Sequence, residues 1–428
     1  MPIRILSFYG IAIALGVLTG LMGSLFQLAI RAINWLMATG LSGFDFQSWS
    51  GGFVSAIISI LMVFIAWLLV KRFSPEASGS GVQEIEGRLL HERPLLWRRL
   101  LPVKFIGGVL AISSKMALGR EGPTIQMGGN LGDMLSEWFH CDPKQSDALI
   151  AAGSAAGLAA AFNAPLAGIL FVLEEMRSQF DFSFINFKAV AICCVISTVV
   201  MQLILGSQPA INMSAFNLPS LNSLWLFFIF GIVVGFAGLI FNLVLITSLN
   251  KMDTFSPMVL RFYVIIVALV IGFLAWYEPV LVGGGYAVIE QSLTMGLSFS
   301  VLIVLLLIRF LLSIVCYCTG VPGGVFAPIL ALGTLLGMAF SSISQYLTVD
   351  MSVHPGMFAV AGMGALFSAT VRAPITGIVL VVEMTQNYSL ILPLMITCLT
   401  STTIMQLAGN PPLYTQLLKR TLLYKGNV

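Results

Sequence analysis

The sequence predicts an all-α integral membrane protein of many tilted and re-entrant helices in two repeats. Three observations carry that expectation. Hydrophobic residues make up 58% of the chain and charged ones only 9%. An ordinary globular domain is roughly 25% charged, so no soluble surface fits this composition. Many apolar runs fall short of the ~20 residues that span a bilayer or are broken by glycine and proline. Finally, two distant stretches carry the same small-residue pattern.

Taken in chain order, Phe8–Ile30 is the first apolar run. It outruns the apolar core of a signal peptide and has no persuasive cleavage site, so a retained helix is expected. Gly52–Val70 is the second. A basic stretch follows, with Lys71, Arg72, Arg88, Arg93, Arg98, Arg99 and Lys104, and basic residues recur at Lys419, Arg420 and Lys425. The positive-inside rule puts both groups on the cytoplasmic side; a multi-pass protein of the cytoplasmic membrane with both termini cytoplasmic is expected. Full-length spans are expected at Phe187–Leu205, Leu224–Leu249, Phe262–Tyr277 (short) and Ser298–Tyr317. Shorter or interrupted pieces are Leu101–Leu118, Ala148–Phe162, Pro165–Leu173, Val325–Ile343, Phe358–Val371, Pro374–Val382 and Leu390–Leu407. Pieces of half length predict broken helices whose ends lie inside the membrane.

The remaining composition excludes other classes. A net charge of +3 does not point to nucleic acid. Cys193, Cys194, Cys316, Cys318 and Cys398 lie in apolar runs and Cys141 in a connection, with no CxxC pair, so they read as small core side chains rather than metal or disulfide partners. His91, His140 and His354 fall in polar connections, which argues against a histidine proton relay.

A shift of 209 positions places Ala152, Gly153, Ala156, Ala160, Ala164, Pro165, Gly168, Ile169 and Glu174 on Ala361, Gly362, Ala365, Ala369, Ala373, Pro374, Gly377, Ile378 and Glu383. A shift of 205 places Pro123 on Pro328. The repeats are expected at about 10–205 and 220–415 within one transmembrane domain spanning 1–428. Transporters built from inverted repeats bind substrate near the midplane where interrupted helices meet, and corresponding Gly/Pro breaks point to that place. Here they nominate Gly119–Pro123 and Gly323–Pro328. The inversion itself is an analogy.

Gly119-Arg120-Glu121-Gly122-Pro123 places an ionisable pair on irregular backbone between apolar runs. Such backbone survives at membrane depth only in protein or along a water-filled path, and ionisable residues there mark function. Amides opening the next helix favour an anion, so the segment reads as an anion site with a carboxylate in the same place. Gly79-Ser80-Gly81 before Val82 offers a hydroxyl and free amides; the plain alternative is that Ser80 is only an N-cap. Gly323–Pro328 offers the Val325 and Phe326 amides, or is a tight turn that packs Phe326. Tyr414, after Asn410-Pro411-Pro412-Leu413, reads by itself as an interfacial-belt tyrosine. Glu174 and Glu383 match across the repeat and suit a structural role. Glu175 faces Met384 in the repeat register, so it suits a task that one half performs, such as carrying a proton; a salt bridge with Arg177 is the alternative.

Through these motifs the chain resembles the CLC family of chloride channels and transporters, particularly its bacterial proton/chloride exchangers. The resemblance runs from about Gly16 to Tyr414. It rests on Gly79-Ser80-Gly81, Gly119-Arg120-Glu121-Gly122-Pro123, Gly324-Val325-Phe326-Ala327-Pro328 and Ala155–Met176 ending in Glu174-Glu175. It implies a CLC-type fold with inverted repeats and a homodimer in the lipid bilayer with one anion pathway per subunit. Chloride and protons would be the partners. Ser80 and Tyr414, with the Val325 and Phe326 amides, would hold chloride. Glu121 would be the external gate and Glu175 the internal proton acceptor. Serine rather than proline at position 80 implies chloride over nitrate. Many members carry proline where this chain has Gln83, which would loosen the serine's placement. Only fourteen residues follow Tyr414, too few for the cytoplasmic regulatory pair of some relatives. No cofactor or metal is implied.

The expected function is proton-coupled chloride antiport by a secondary transporter rather than an enzyme. A passive anion channel of the same fold keeps every anion ligand and is the first rival. A polytopic membrane enzyme is the second; it calls for a histidine-metal set, an Asp-Asp pair or a Ser/His or Ser/Lys arrangement in apolar sequence, none of which is found.

Overall fold

The structure, a computed structural model, describes residues 5–44, 48–176, 183–213, 216–217, 219–347 and 353–425. Within them the regular elements are helices, joined at two single β-bridges. In chain order the α-helices are α1 (Ile5–Leu41), α2 (Trp49–Phe73), α3 (Val82–Leu89), α4 (Trp97–Ser113), α5 (Glu121–Trp138), α6 (Pro143–Phe162), α7 (Pro165–Glu175), α8 (Phe184–Leu205) and α9 (Leu224–Asp253). They continue as α10 (Pro257–Tyr277), α11 (Tyr286–Thr294), α12 (Phe299–Tyr317), α13 (Phe326–Leu347), α14 (Pro355–Val371), α15 (Pro374–Thr385), α16 (Ile391–Leu407) and α17 (Leu413–Lys425).

Among the described residues, eight helices are long and apolar enough to cross a membrane: α1, α2, α8, α9, α10, α12, α13 and α16. The chain is a multi-pass membrane protein. The first six are the expected clear runs. The last two, which hold Pro328 and Pro393, were expected among the pieces that are shorter or interrupted by glycine and proline. Each proline falls in the first turn of its helix, where a missing N–H breaks no intrahelical bond. Helix α1 has 37 residues. At about 1.5 Å per residue it is roughly 55 Å long, against a hydrocarbon core of about 30 Å, so it tilts or reaches beyond the bilayer.

The chain divides into two compact units. The first comprises Met1–Ser207, Thr254–Gly284 and Val315–Val325, the second Gln208–Asp253, Gly285–Ile314 and Phe326–Val428. In the first, α5 crosses α6, and α1 lies along α6 and α8. A Cβ added at Gly153 would overlap the Gly128 carbonyl, and one at Gly132 the Leu149 carbonyl, so the α5 and α6 backbones touch. In the second, α13 crosses α14 in the same manner: Gly362 meets the Gly333 carbonyl and Gly337 meets that of Phe358.

Helix ends follow local chemistry. Helix α6 starts with Asp142 and Gln145 in a reciprocal capping box and Pro143 in its first turn. It stops at Asn163, in the left-handed region at φ 56°, and Pro165 starts α7. Helix α14 stops at Arg372, at φ 69°, and Pro374 starts α15. These stops make α7 and α15 separate half-length helices.

Candidate functional site

Three loops of the first unit are zipped together by backbone hydrogen bonds. Gly119 and Gly324 pair reciprocally, each N–H donating to the other's carbonyl at 2.7 Å. The Gly79 N–H donates to the Val321 carbonyl at 3.2 Å, and the Gly323 N–H to the Gly79 carbonyl at 3.0 Å. The glycine–serine–glycine turn, the Arg120–Glu121 turn and the segment ending at Val325 therefore meet at one place. Gly81, at φ 85°, turns the chain into α3, and α5 begins at Glu121.

Glycine is required at 122 because a Cβ there would overlap Ser80 Oγ. Ser80 thus packs directly on the first turn of α5, beside Glu121. The Ser80 side chain is fully buried, and its Oγ has no hydrogen-bond partner among the described residues. It does not cap α3, whose N-cap is Gly81 with no side-chain bond. The N-cap reading of Ser80 therefore fails. Glu121 is equally buried, with its carboxylate in the opening turn of α5. First-turn amides have no partner within their own helix, so two helix starts present positive dipole ends at this cluster.

Three further side chains fix the turn. Lys104 is wholly buried, and its Nζ donates to the carbonyls of Ala77 at 3.0 Å and Gly79 at 2.7 Å. The Ser80 N–H donates to the Tyr317 hydroxyl at 3.3 Å. Gln126 Nε2 donates to the Glu76 carbonyl at 2.8 Å. Helix α3 starts without a proline at 83, and these bonds hold the serine turn in its place. Lys104 was expected in a cytoplasmic basic cluster; instead it lies inside the protein. Arg93, from the same stretch, is also buried, donating to Glu84 at 2.6 Å. Sequence reasoning missed the parts played by Lys104 and Tyr317. The available signal was a lone lysine in an apolar run, which has a default functional reading. Tyr317 carried none, being simply the last residue of a span.

In the second unit, Phe326 opens α13 and its ring stacks on Tyr414 at 5.9 Å between centroids and packs on Phe367 at 5.0 Å. Tyr414 is 0% exposed, which rules out a tyrosine at the lipid–water boundary. Asn410, four residues before it, is tied down by Arg372 Nη1 to its carbonyl at 2.8 Å and by Gln416 Nε2 to its Oδ1 at 2.9 Å. Val325 is buried at the end of the first unit's loop. Ala327 and Pro328 follow in the first turn of α13.

Glu175 is the last residue of α7 and is buried, whereas Glu174 and Glu383 are half-buried. Arg177, its suggested salt-bridge partner, lies outside the described residues. The structure brings Ser80, Glu121, Gly122 and Gly324 together, and separately Phe326 and Tyr414. Glu175 stands on an element of its own.

Comparison with known proteins agrees with this arrangement. The family model described as "Voltage gated chloride channel" matches residues 62–406. The H(+)/Cl(-) exchange transporter ClcA of Vibrio parahaemolyticus is 46% identical over 420 residues, covering 96% of this chain and 89% of that protein. Its namesake from Yersinia pestis is 44% identical, covering 96% and 87%. Among solved structures, a slow cyanobacterial Cl−/H+ antiporter superposes with a TM-score of 0.93 at 38% identity, covering 97% of this chain and 98% of its own. A eukaryotic CLC transporter shares the fold at a TM-score of 0.81 and 22% identity, covering 98% of this chain and 74% of its own. With the motifs, the helical architecture and these likenesses together, the chain belongs to the CLC voltage gated chloride channel family.

Proposed function

We propose that this protein is a secondary transporter exchanging chloride for protons across the cytoplasmic membrane. The observation that carries the reading is the packing of Ser80 on the first turn of α5, beside the buried carboxylate of Glu121. A buried hydroxyl without a partner costs about 1–3 kcal/mol, a cost removed when it donates to an anion. In this reading Ser80 and Tyr414 hold chloride with the Val325 and Phe326 amides, and Glu121 is a tethered anion competing for the same amide-lined place. Protonation removes the carboxylate's charge, the side chain leaves, and chloride enters. Glu175 carries the proton on its separate inward route. The exchange activity named for the 44–46% identical relatives supports the same assignment.

The organisation follows the same reading: one transport domain over 1–428 with repeats at about 10–205 and 220–415, inverted in topology. The matching glycine crossings of α5 with α6 and of α13 with α14 support it. The protein works as a homodimer with both termini cytoplasmic; exposed Lys71, Arg72, Arg98 and Arg99 suit that side.

The test is flux from the purified protein in liposomes. An imposed chloride gradient should drive protons uphill, and the reverse. Chloride flux with no proton movement at any gradient would make the protein a passive channel instead.

A further inference from the structure

The arginines around α3 and α4 fall into two groups. Arg93 is bonded to Glu84, Arg88 meets Asp147 at 3.3 Å and Asp133 at 3.7 Å, and Arg98 pairs with Glu137 at 2.8 Å. Bonds from Arg98 and Trp97 hold the Glu137 carboxyl below the usual carboxylate range. Arg72 and Arg99 differ. Both are exposed, and neither has an acidic partner among the described residues. Yet their side chains line the same cavity of about 410 Å³ between α2 and α4. The other walls are apolar, chiefly Leu69, Phe73, Val103 and Ile106.

The position of this groove is informative. Arg72 stands in the last turn of α2, a membrane-length helix, and Arg99 in the first turn of α4. Charged residues at the end of a span lie at the lipid headgroups, and tryptophan is enriched there. Trp97, two residues before Arg99 in the first turn of α4, packs edge to face on Trp138 at 6.0 Å, and the Arg98 guanidinium lies over its ring at 4.4 Å. Two unpaired guanidinium groups facing one cavity repel unless an anion neutralises them. Their planar donor forks match phosphate oxygens. A second copy of this chain on a two-fold axis would bring two more arginines to the same spot, and a free phosphate would leave the apolar walls uncovered.

We propose that the α2–α4 groove binds an anionic glycerophospholipid, its phosphate between Arg72 and Arg99 and its first methylenes along Leu69, Phe73, Val103 and Ile106. The inference needs only membrane embedding and is independent of the transport reading.

Native mass spectrometry of the protein taken from vesicles of mixed phosphatidylcholine and phosphatidylglycerol tests it. The wild type should retain phosphatidylglycerol over phosphatidylcholine. R72Q/R99Q should lower that retention by roughly ten-fold or more, since each basic residue near a headgroup contributes about one kcal/mol. R72K/R99K, which keeps the charge but loses the fork, should fall between. An excess of inorganic phosphate should leave the lipid bound. Equal phosphatidylglycerol retention by wild type and R72Q/R99Q overturns the proposal, as does displacement of the lipid by inorganic phosphate. Size-exclusion elution and chloride flux in phosphatidylcholine vesicles check that the variant is folded. If R72Q/R99Q fails to fold, R72Q and R99Q singly carry the test, each expected to lower retention by about five-fold; no change in either overturns the proposal.

Discussion

Helices α5, α6 and α7 of the first unit and α13, α14 and α15 of the second are built alike but carry different chemistry. Both triplets cross with glycine α-carbons against carbonyls, at Gly128 with Gly153 and at Gly333 with Gly362. Both end their middle helix on a left-handed residue, Asn163 or Arg372, before an Ala-Pro start. The 205-residue shift, however, sets Arg120-Glu121 against Val325-Phe326. The 209-residue shift sets Glu175 against Met384. One triplet opens on a buried carboxylate and closes on another. Its counterpart opens on a stacked phenyl ring and closes on a buried thioether. The difference teaches that the crossing depends on small residues at contact points. Those points do not include the helix-opening side chains, so these are free to diverge towards function.

The comparison is broken most sharply at the two helix starts. E121A should abolish proton coupling and its pH dependence while chloride flux persists, because in the proposed mechanism the tethered anion and its proton are lost together. F326A, at the matching place, should cost about 3–5 kcal/mol of stability, yet protein that survives should still couple, since the amide remains. Liposome flux and thermal unfolding in detergent read the two effects. An E121A protein that still pumps protons uphill would remove Glu121 from the mechanism.

At the helix ends, E175Q should lose proton movement and spare much of the chloride flux, whereas M384L should change neither. Equal loss of both fluxes in folded E175Q would assign Glu175 a structural role.

The shared architecture should show the smallest and most even effect. G153A and G362A each press a methyl group onto a facing carbonyl and should each cost about 1–3 kcal/mol. Thermal unfolding of the two variants checks this. If one is silent, the two crossings are not equivalent in packing.

Much of this was legible in the sequence, for identifiable reasons. Apolar runs record burial in lipid, so six spans could be read directly from composition. Glycine and proline record backbone geometry, so the breaks at Gly79–Gly81, Gly119–Pro123 and Asn163–Pro165 announced themselves. Short polar helices such as α11 and α17 carried no such signal, because neither has an apolar run of spanning length.

By itself the sequence determined that the chain lives in a membrane, that its small-residue pattern is repeated, and which polar residues stand on irregular backbone. Those properties depend on residue type and local spacing. Tertiary structure alone decided which groups meet. Lys104 reaches carbonyls 25 and 27 residues away, Tyr317 holds an amide 237 residues distant, and Tyr414 stacks on Phe326 instead of lying at the lipid boundary. A buried lysine and a surface lysine look the same in a sequence. What separates them is the desolvation of the ammonium, met here by two carbonyls that only the folded loop presents.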